Sequence, residues 1–224
     1  MKIIVFGATG MIGQGVLREC LDAADVEKVL AVVRTPTGRT HPKLEEVRHA
    51  DFGDLSGLVP AFAGFDACFY CLGVSSAGMT EADYRRVTLD YTVAAGRALS
   101  AANLGMTLCF ISGQHTDATG TSKTMWARMK GQAENALAAM PFRAVLRFRP
   151  GIIQPVKGAH SKTPLYRALY AVLSPLFPLI QALAPKQVVT TASLGQAMLA
   201  AVRLGADSAV LEPPDIHALL ARAA

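Results

Sequence analysis

Three glycines spaced three apart follow a short apolar run near the start of the chain. Met1-Lys2-Ile3-Ile4-Val5-Phe6 leads straight into Gly7-Ala8-Thr9-Gly10-Met11-Ile12-Gly13. The chemistry open to such a pattern is the cradling of a pyrophosphate. The first glycine permits a tight turn off a strand, and the second lets backbone amides approach phosphate oxygens. The third lets the following helix pack closely on the sheet. Phosphates would sit on the positive, amide-rich end of a helix beginning near Met11, with Thr9, Met11 and Ile12 around them. A plain strand-to-helix turn would use the same glycines.

Further along, other residues of the right types stand where strands should end. Lys28-Val29-Leu30-Ala31-Val32-Val33 runs into Arg34 and Thr35, with Arg39 close behind. In a dinucleotide fold this is where the adenosine ribose is read. An acid there would bond the ribose hydroxyls, whereas an arginine pairs with a 2′-phosphate and stacks on adenine. No acid occupies this strand end, so NADP is favoured over NAD; the alternative is a solvated surface arginine. Asp51-Phe52 follows the third strand, where an acid and an apolar ring can hold the edge and face of adenine. Cys71-Leu72-Gly73 ends the fourth strand, where backbone would approach the nicotinamide ribose, and Ser112-Gly113 ends the fifth. Ligands bind beyond the carboxyl ends of such strands, so these tips converge on one crevice.

The elements that must position these residues alternate along the chain. Strands are predicted at 2–6, 28–33, 46–50, 65–71, 106–111 and 143–148, with helices near 11–23, 54–62, 80–102 and 122–139. Thr80 with Asp83 is a plausible capping box for the third helix. After Pro150 come a proline-interrupted apolar stretch at 164–185, a helix near 193–204, a short strand at 208–211 and a terminal helix. This rhythm predicts an α/β fold, a doubly wound parallel sheet of the Rossmann kind. One domain over 1–224 is expected, with a small substrate-side region at about 151–192.

Composition bounds the function. Hydrophobic residues make up 51% of the 224, which suits a sheet covered on both faces. The net charge of +5 is scattered, with no run of five like charges, which argues against nucleic acid and is met more simply by a basic pocket for a phosphorylated cofactor. No secretory leader is visible, so a reducing, cytoplasmic setting is expected. Cys68 and Cys71 form a C-x-x-C, but along a buried strand an odd separation sends the two thiols to opposite faces. Cys20 and Cys109 have no partner nearby in sequence, and His41, His49, His115, His160 and His217 are isolated, so no metal site is expected.

Taken in order, these motifs resemble the atypical short-chain dehydrogenase/reductase family. The glycine fingerprint, Tyr70-Cys71-Leu72-Gly73, Asp90-Tyr91, Ser112 and Arg149-Pro150-Gly151 carry the resemblance. The likeness is to its Tat-interacting-protein-like, NAD-dependent epimerase-like subgroup. It extends over nearly the whole chain and implies that Pro150 and Gly151 also border the cofactor. The family pattern implies a Ser–Tyr–Lys site in which serine orients the substrate oxygen and tyrosine exchanges the proton. Lysine holds the nicotinamide ribose and lowers the tyrosine pKa. Ser112 and Lys130 match the first and last roles. Four residues before Lys130, where tyrosine is expected, stands Trp126. An indole N–H donates a hydrogen bond but releases no proton near neutral pH, so Trp126 cannot be a general acid or base. Tyr166, Tyr170 or His115 could supply the proton instead, though nothing in the spacing singles one out.

Two functions follow. One is an NADP-dependent oxidoreductase acting on a small apolar carbonyl or alcohol. The other is a non-catalytic NADP-sensing or scaffold protein. Between Pro164 and Pro185 there is one charge, Arg167, yet Pro175 and Pro178 would interrupt a membrane span at its middle. This stretch is expected to form an apolar substrate lid, or otherwise a homodimer or membrane-surface contact.

Overall fold

The computed structural model describes residues 1–160 and 177–223. In chain order, β1 (Lys2–Phe6), α1 (Met11–Asp22), β2 (Lys28–Val33) and β3 (Leu44–Arg48) come first. A 3-10 helix (Ser56–Phe62), β4 (Ala67–Tyr70), α2 (Glu81–Arg85), a π-helical turn (Arg86–Asp90) and α3 (Tyr91–Ala102) follow. Next are β5 (Thr107–Ile111), α4 (Met125–Ala138), β6 (Ala144–Phe148) and β7 (Ile152–Gln154). The chain closes with α5 (Phe177–Leu183), β8 (Val188–Thr190), α6 (Thr191–Leu204), β9 (Val210–Leu211) and α7 (Pro213–Ala223). Seven strands form one sheet in the order β3-β2-β1-β4-β5-β6-β9, every pair parallel. The chain is thus a doubly wound α/β protein of the Rossmann kind. Its strand order reverses between β1 and β4, which opens a crevice at their carboxyl ends.

Apolar runs with no polar alternation are what such a sheet needs, because both faces are covered. Residues of β1 alternate between two cores: Ile3 and Val5 pack with Val16, Leu17 and Met198 on one face, Ile4 and Phe6 with Leu99 and Leu137 on the other. Cys68 and Cys71 divide in the same way, Cys68 in the second core and Cys71 against the first, and all four cysteines are free.

Several boundaries differ from expectation. The third strand starts at Leu44 rather than Glu46, because Leu44 pairs with Val29 and its amide bonds the His41 carbonyl. As the sheet's edge it tolerates Glu45 and Glu46, charges that discourage further pairing. The element expected at 54–62 is a 3-10 helix containing Pro60. The long helix expected at 80–102 is interrupted by the π turn, while Thr80 does cap its start by accepting from the Asp83 amide at 3.2 Å. The short parallel pair β7–β8 was not predicted. Most of the 164–185 stretch, with Tyr166 and Tyr170, lies outside the described residues. No described helix is long and apolar enough to cross a membrane.

Candidate dinucleotide and substrate site

The turn after β1 is locked by its glycines. Gly7 has φ +76°, and a Cβ there would stand 2.6 Å from the Cys71 carbonyl and the Leu72 amide nitrogen. A Cβ on Gly13 would stand 2.0 Å from the Gly7 carbonyl oxygen, so only glycine lets α1 approach this closely. Gly10 closes the turn by donating to the Gly7 carbonyl at 2.9 Å. It also begins α1 with no side-chain cap and no acid in the first turn. The first-turn amides therefore keep their capacity for an external anion. Thr9, Met11 and Ile12 are half-buried around them.

At the end of β2, Arg34 and Thr35 are exposed and Arg39 is half-buried. Neither arginine side chain is engaged in a hydrogen bond or ion pair among the described residues. Their loop is held from the sheet edge by Glu46, which accepts from the Thr37 amide at 3.0 Å and from the Thr37 hydroxyl. Asp51 is exposed and folds onto its own loop, accepting from the Gly53 amide at 2.8 Å. Phe52 departs from expectation. Only 3% exposed, it packs edge-on against Phe6 and tilted against Tyr91. Its ring belongs to the core and supports the loop from beneath, so it is not the open face on which adenine was expected to lie.

Cys71, Leu72 and Gly73 continue β4 past the turn, with the Cys71 amide donating to the Phe6 carbonyl at 2.9 Å. Burial pushes the Cys71 thiol up to about 12, against the pull of nearby Lys130. Beyond β5, Ser112 is 9% exposed. Its hydroxyl lies 2.9 Å from that of Thr116, which also bonds the Gly113 carbonyl at 2.7 Å. A hydroxyl has one proton. If Thr116 spends its proton on Gly113, Ser112 donates to Thr116 and offers its lone pairs to the crevice. Thr116 was not foreseen from the sequence, since only the turn of the loop returns it to Ser112.

Helix α4 brings the other two residues here. Trp126 is half-buried, its Cζ3 3.8 Å from where a Cβ on Gly113 would stand. One turn on, Lys130 Nζ donates to the Ile111 carbonyl at 2.9 Å and lies 4.7 Å from the Phe110 ring centroid. It also stands 3.8 Å from a Cβ position on Gly73, at the rim between β4 and β5. Burial pulls its amine down to about 8, although Glu134 and Cys71 act to raise it. Pro150 is buried, and its carbonyl accepts from the Gln114 amide at 3.1 Å. Gly151 is half-buried beside Gln114, whose side chain bonds that of Gln187 at 3.0 Å. His115 is exposed with φ +66° on the same loop.

The Ser112 loop is itself seated on α4. Asp117 gathers it by accepting from the Thr119 hydroxyl and the Thr119, Thr121 and Ser122 amides, which hold its carboxyl near 2. A Cβ on Gly131 would lie 1.7 Å from the Asp117 carbonyl oxygen. Gly131→Ala is therefore expected to destabilise the protein by about 1–3 kcal/mol, as overpacking does. Chemical denaturation measures this, and unchanged stability would show that the loop yields freely.

Fold and site together define a dinucleotide-binding α/β protein with the crevice at its topological switch point. Residues 7–148 match the NAD(P)H-binding family, and the chain belongs to it. It is similar to the mitochondrial protein FMP52 of Eremothecium gossypii, 29% identical over 164 residues, 72% of this chain and 70% of that one. It is similar also to HTATIP2 of Rattus norvegicus, 26% identical over 68% of this chain and 62% of that one. With the NmrA-like family domain-containing oxidoreductase ptmS of Penicillium ochrochloron it shares 30% identity over 62% of this chain, but only 46% of that longer protein. Many solved structures share the fold, and two serve as examples. The Bordetella bronchiseptica enzyme WbmG in complex with NAD has a TM-score of 0.68 at 14% identity, covering 95% of this chain and 72% of that one. A short-chain dehydrogenase/reductase superfamily protein from Agrobacterium tumefaciens with bound NAD has 0.66 at 16%, covering 99% and 81%.

Proposed function

We propose that this protein binds NADP(H) and presents it to a small apolar carbonyl or alcohol, with Trp126 standing where the family keeps its proton-transferring tyrosine. The observation that carries the reading is the glycine-locked turn with its uncapped α1 amides, packed on the Cys71–Leu72 backbone that leads to Gly73 and the Lys130 amine. The turn fits a pyrophosphate because the α1 amides have no side-chain cap and no acid beside them in the first turn. In this reading the first-turn amides hold the pyrophosphate and Arg34, with Arg39, takes the 2′-phosphate. Lys130 holds the nicotinamide ribose, and Ser112 orients the substrate oxygen, accepting from an alcohol or turning its proton from Thr116 to a carbonyl. NADPH supplies a hydride when bound. With an indole in the proton donor's place, turnover is slow.

The second reading is an NADP-sensing or scaffold protein that turns nothing over, and Trp126 is the observation in its favour. NADPH oxidation across a panel of carbonyls separates the two. Four free cysteines suit a reducing compartment. FMP52 is mitochondrial by name, so a reducing interior is proposed rather than the cytoplasm in particular.

NADP is expected to bind more tightly than NAD. A charge-assisted bond to the 2′-phosphate contributes about 1.5–3 kcal/mol, a preference of order tenfold to a hundredfold. Calorimetry with both cofactors, and with Arg34→Ala, measures it. Equal affinities in the unaltered protein would end the NADP assignment.

A further inference from the structure

Lys130 is a half-buried cation that shares its helix with an acid. Glu134 follows four residues later, the spacing at which a carboxylate and an ammonium on one helix face close on each other. Here they do not. Glu134 Oε1 accepts from Arg149 Nε at 3.0 Å and Oε2 from Arg149 Nη2 at 2.6 Å. The pair is deep, with the Glu134 side chain 1% and the Arg149 side chain 11% exposed, and Arg149 Nη1 reaches Glu212 at 3.4 Å. Lys130 is left with a neutral acceptor, the Ile111 carbonyl, and the face of Phe110.

We propose that Arg149 is a positioning residue for the cofactor site: by occupying both oxygens of Glu134, it keeps that carboxylate off Lys130 and leaves the ammonium free at the Gly73 rim. This rests on the reading above, in which Lys130 meets the nicotinamide ribose. A planar guanidinium suits the task because its fork matches a carboxylate bidentately, which a lysine cannot do. Were Glu134 released, the ammonium would gain a buried countercharge one turn along α4, and the rim would lose its net positive charge. Other nearby charges are engaged elsewhere: Glu81 with Arg128, Arg85 with Asp90, and Arg86 with Asp83. Cys71, the other titratable group bearing on Lys130, stays a neutral thiol. Burial lowers the Lys130 pKa and outweighs Glu134, whose charge acts to raise it without a direct contact.

The test reads Lys130 directly. Its rate of acetylation by acetic anhydride, followed by peptide mass spectrometry against pH, gives a titration midpoint without any ligand or turnover. In the unaltered protein that midpoint is expected near 8. Arg149→Met is expected to raise it by at least one pH unit and to weaken NADP about tenfold by calorimetry. Adding Glu134→Gln to Arg149→Met is expected to return both toward the unaltered values, which a merely structural role for Arg149 would not do. An unmoved midpoint in Arg149→Met, or a double variant that fails to restore it, overturns the proposal. Should Arg149→Met not fold, Arg149→Lys, which can engage only one oxygen, is expected to raise the midpoint by a smaller step, and no rise overturns it. An ordinary lysine midpoint in the unaltered protein also overturns it. If the midpoints behave as expected but NADP does not bind at all, the placement of Lys130 stands and the cofactor reading falls.

Discussion

Trp126→Tyr is expected to raise NADPH-dependent carbonyl reduction by a factor of about 10²–10⁴, the usual contribution of a positioned general acid. Trp126 already lies against Gly113, next to Ser112, and one helical turn before Lys130. A phenol there would carry a dissociable proton that an indole lacks. The Lys130 ammonium would stabilise the phenolate left after that proton moves, so the tyrosine would be the better acid for standing beside it. NADP affinity should barely change, because the amides, Arg34 and Lys130 are untouched. Two controls give the result its meaning. Trp126→Phe opens similar space without a proton and should show no gain, and Lys130→Met added to Trp126→Tyr should remove most of it. Equal gains from phenylalanine and tyrosine would mean that access, not proton transfer, limits the rate. Brisk turnover by the unaltered protein, indifferent to Ser112 and Lys130, would place the catalytic groups elsewhere.

What the sequence revealed of this arrangement followed the reach of its signals. The turn at Gly7–Gly13 was legible because strand, glycines and helix lie within about a dozen consecutive residues, and the parallel, doubly wound sheet followed from alternating elements. The opposed thiols of Cys68 and Cys71 needed only the two-residue period of a strand. Features set by distant contacts were not legible. The π turn depends on a wider hydrogen-bond register that local propensity does not encode. Within it the Thr88 hydroxyl is buried without a partner among the described residues, while its carbonyl accepts from the Thr92 hydroxyl at 2.8 Å. Phe52 looked like a ligand-facing ring because it follows the third strand beside Asp51, yet Phe6 and Tyr91 claim it from other elements. The Glu134–Arg149 pair spans 15 residues and two elements. Its available signal was an acid four residues after Lys130, together with the arginine that directly follows the sixth strand.

Gly13→Ala and Gly10→Ala should separate packing from ligand binding at the turn, and together they carry the largest expected loss. At Gly13 the new methyl would meet the Gly7 carbonyl oxygen at 2.0 Å, the Gly7 carbonyl carbon at 2.6 Å and Ala8 Cα at 2.9 Å. All three are backbone atoms, so no side chain can rotate aside and α1 itself must retreat from the sheet. The cost is expected at or above the upper end of the about 1–3 kcal/mol typical of overpacking. The displaced helix would also carry its first-turn amides away from the phosphate position, so nucleotide affinity should fall together with stability. At Gly10 the methyl meets only the Gly7 carbonyl oxygen, at 3.4 Å, an ordinary contact. Its φ of −81° suits alanine as well, so stability should hardly move. The methyl would instead project where the backbone must approach the pyrophosphate, and affinity for NADP and NAD should fall alike, by at least tenfold. Thermal denaturation and calorimetry on both variants read the two effects independently. A Gly10→Ala protein that binds either nucleotide normally would mean that the phosphates do not lie at this turn. A Gly13→Ala protein that melts with the parent would mean that α1 is free to move, and the close approach of helix to sheet would not be what the glycine is for.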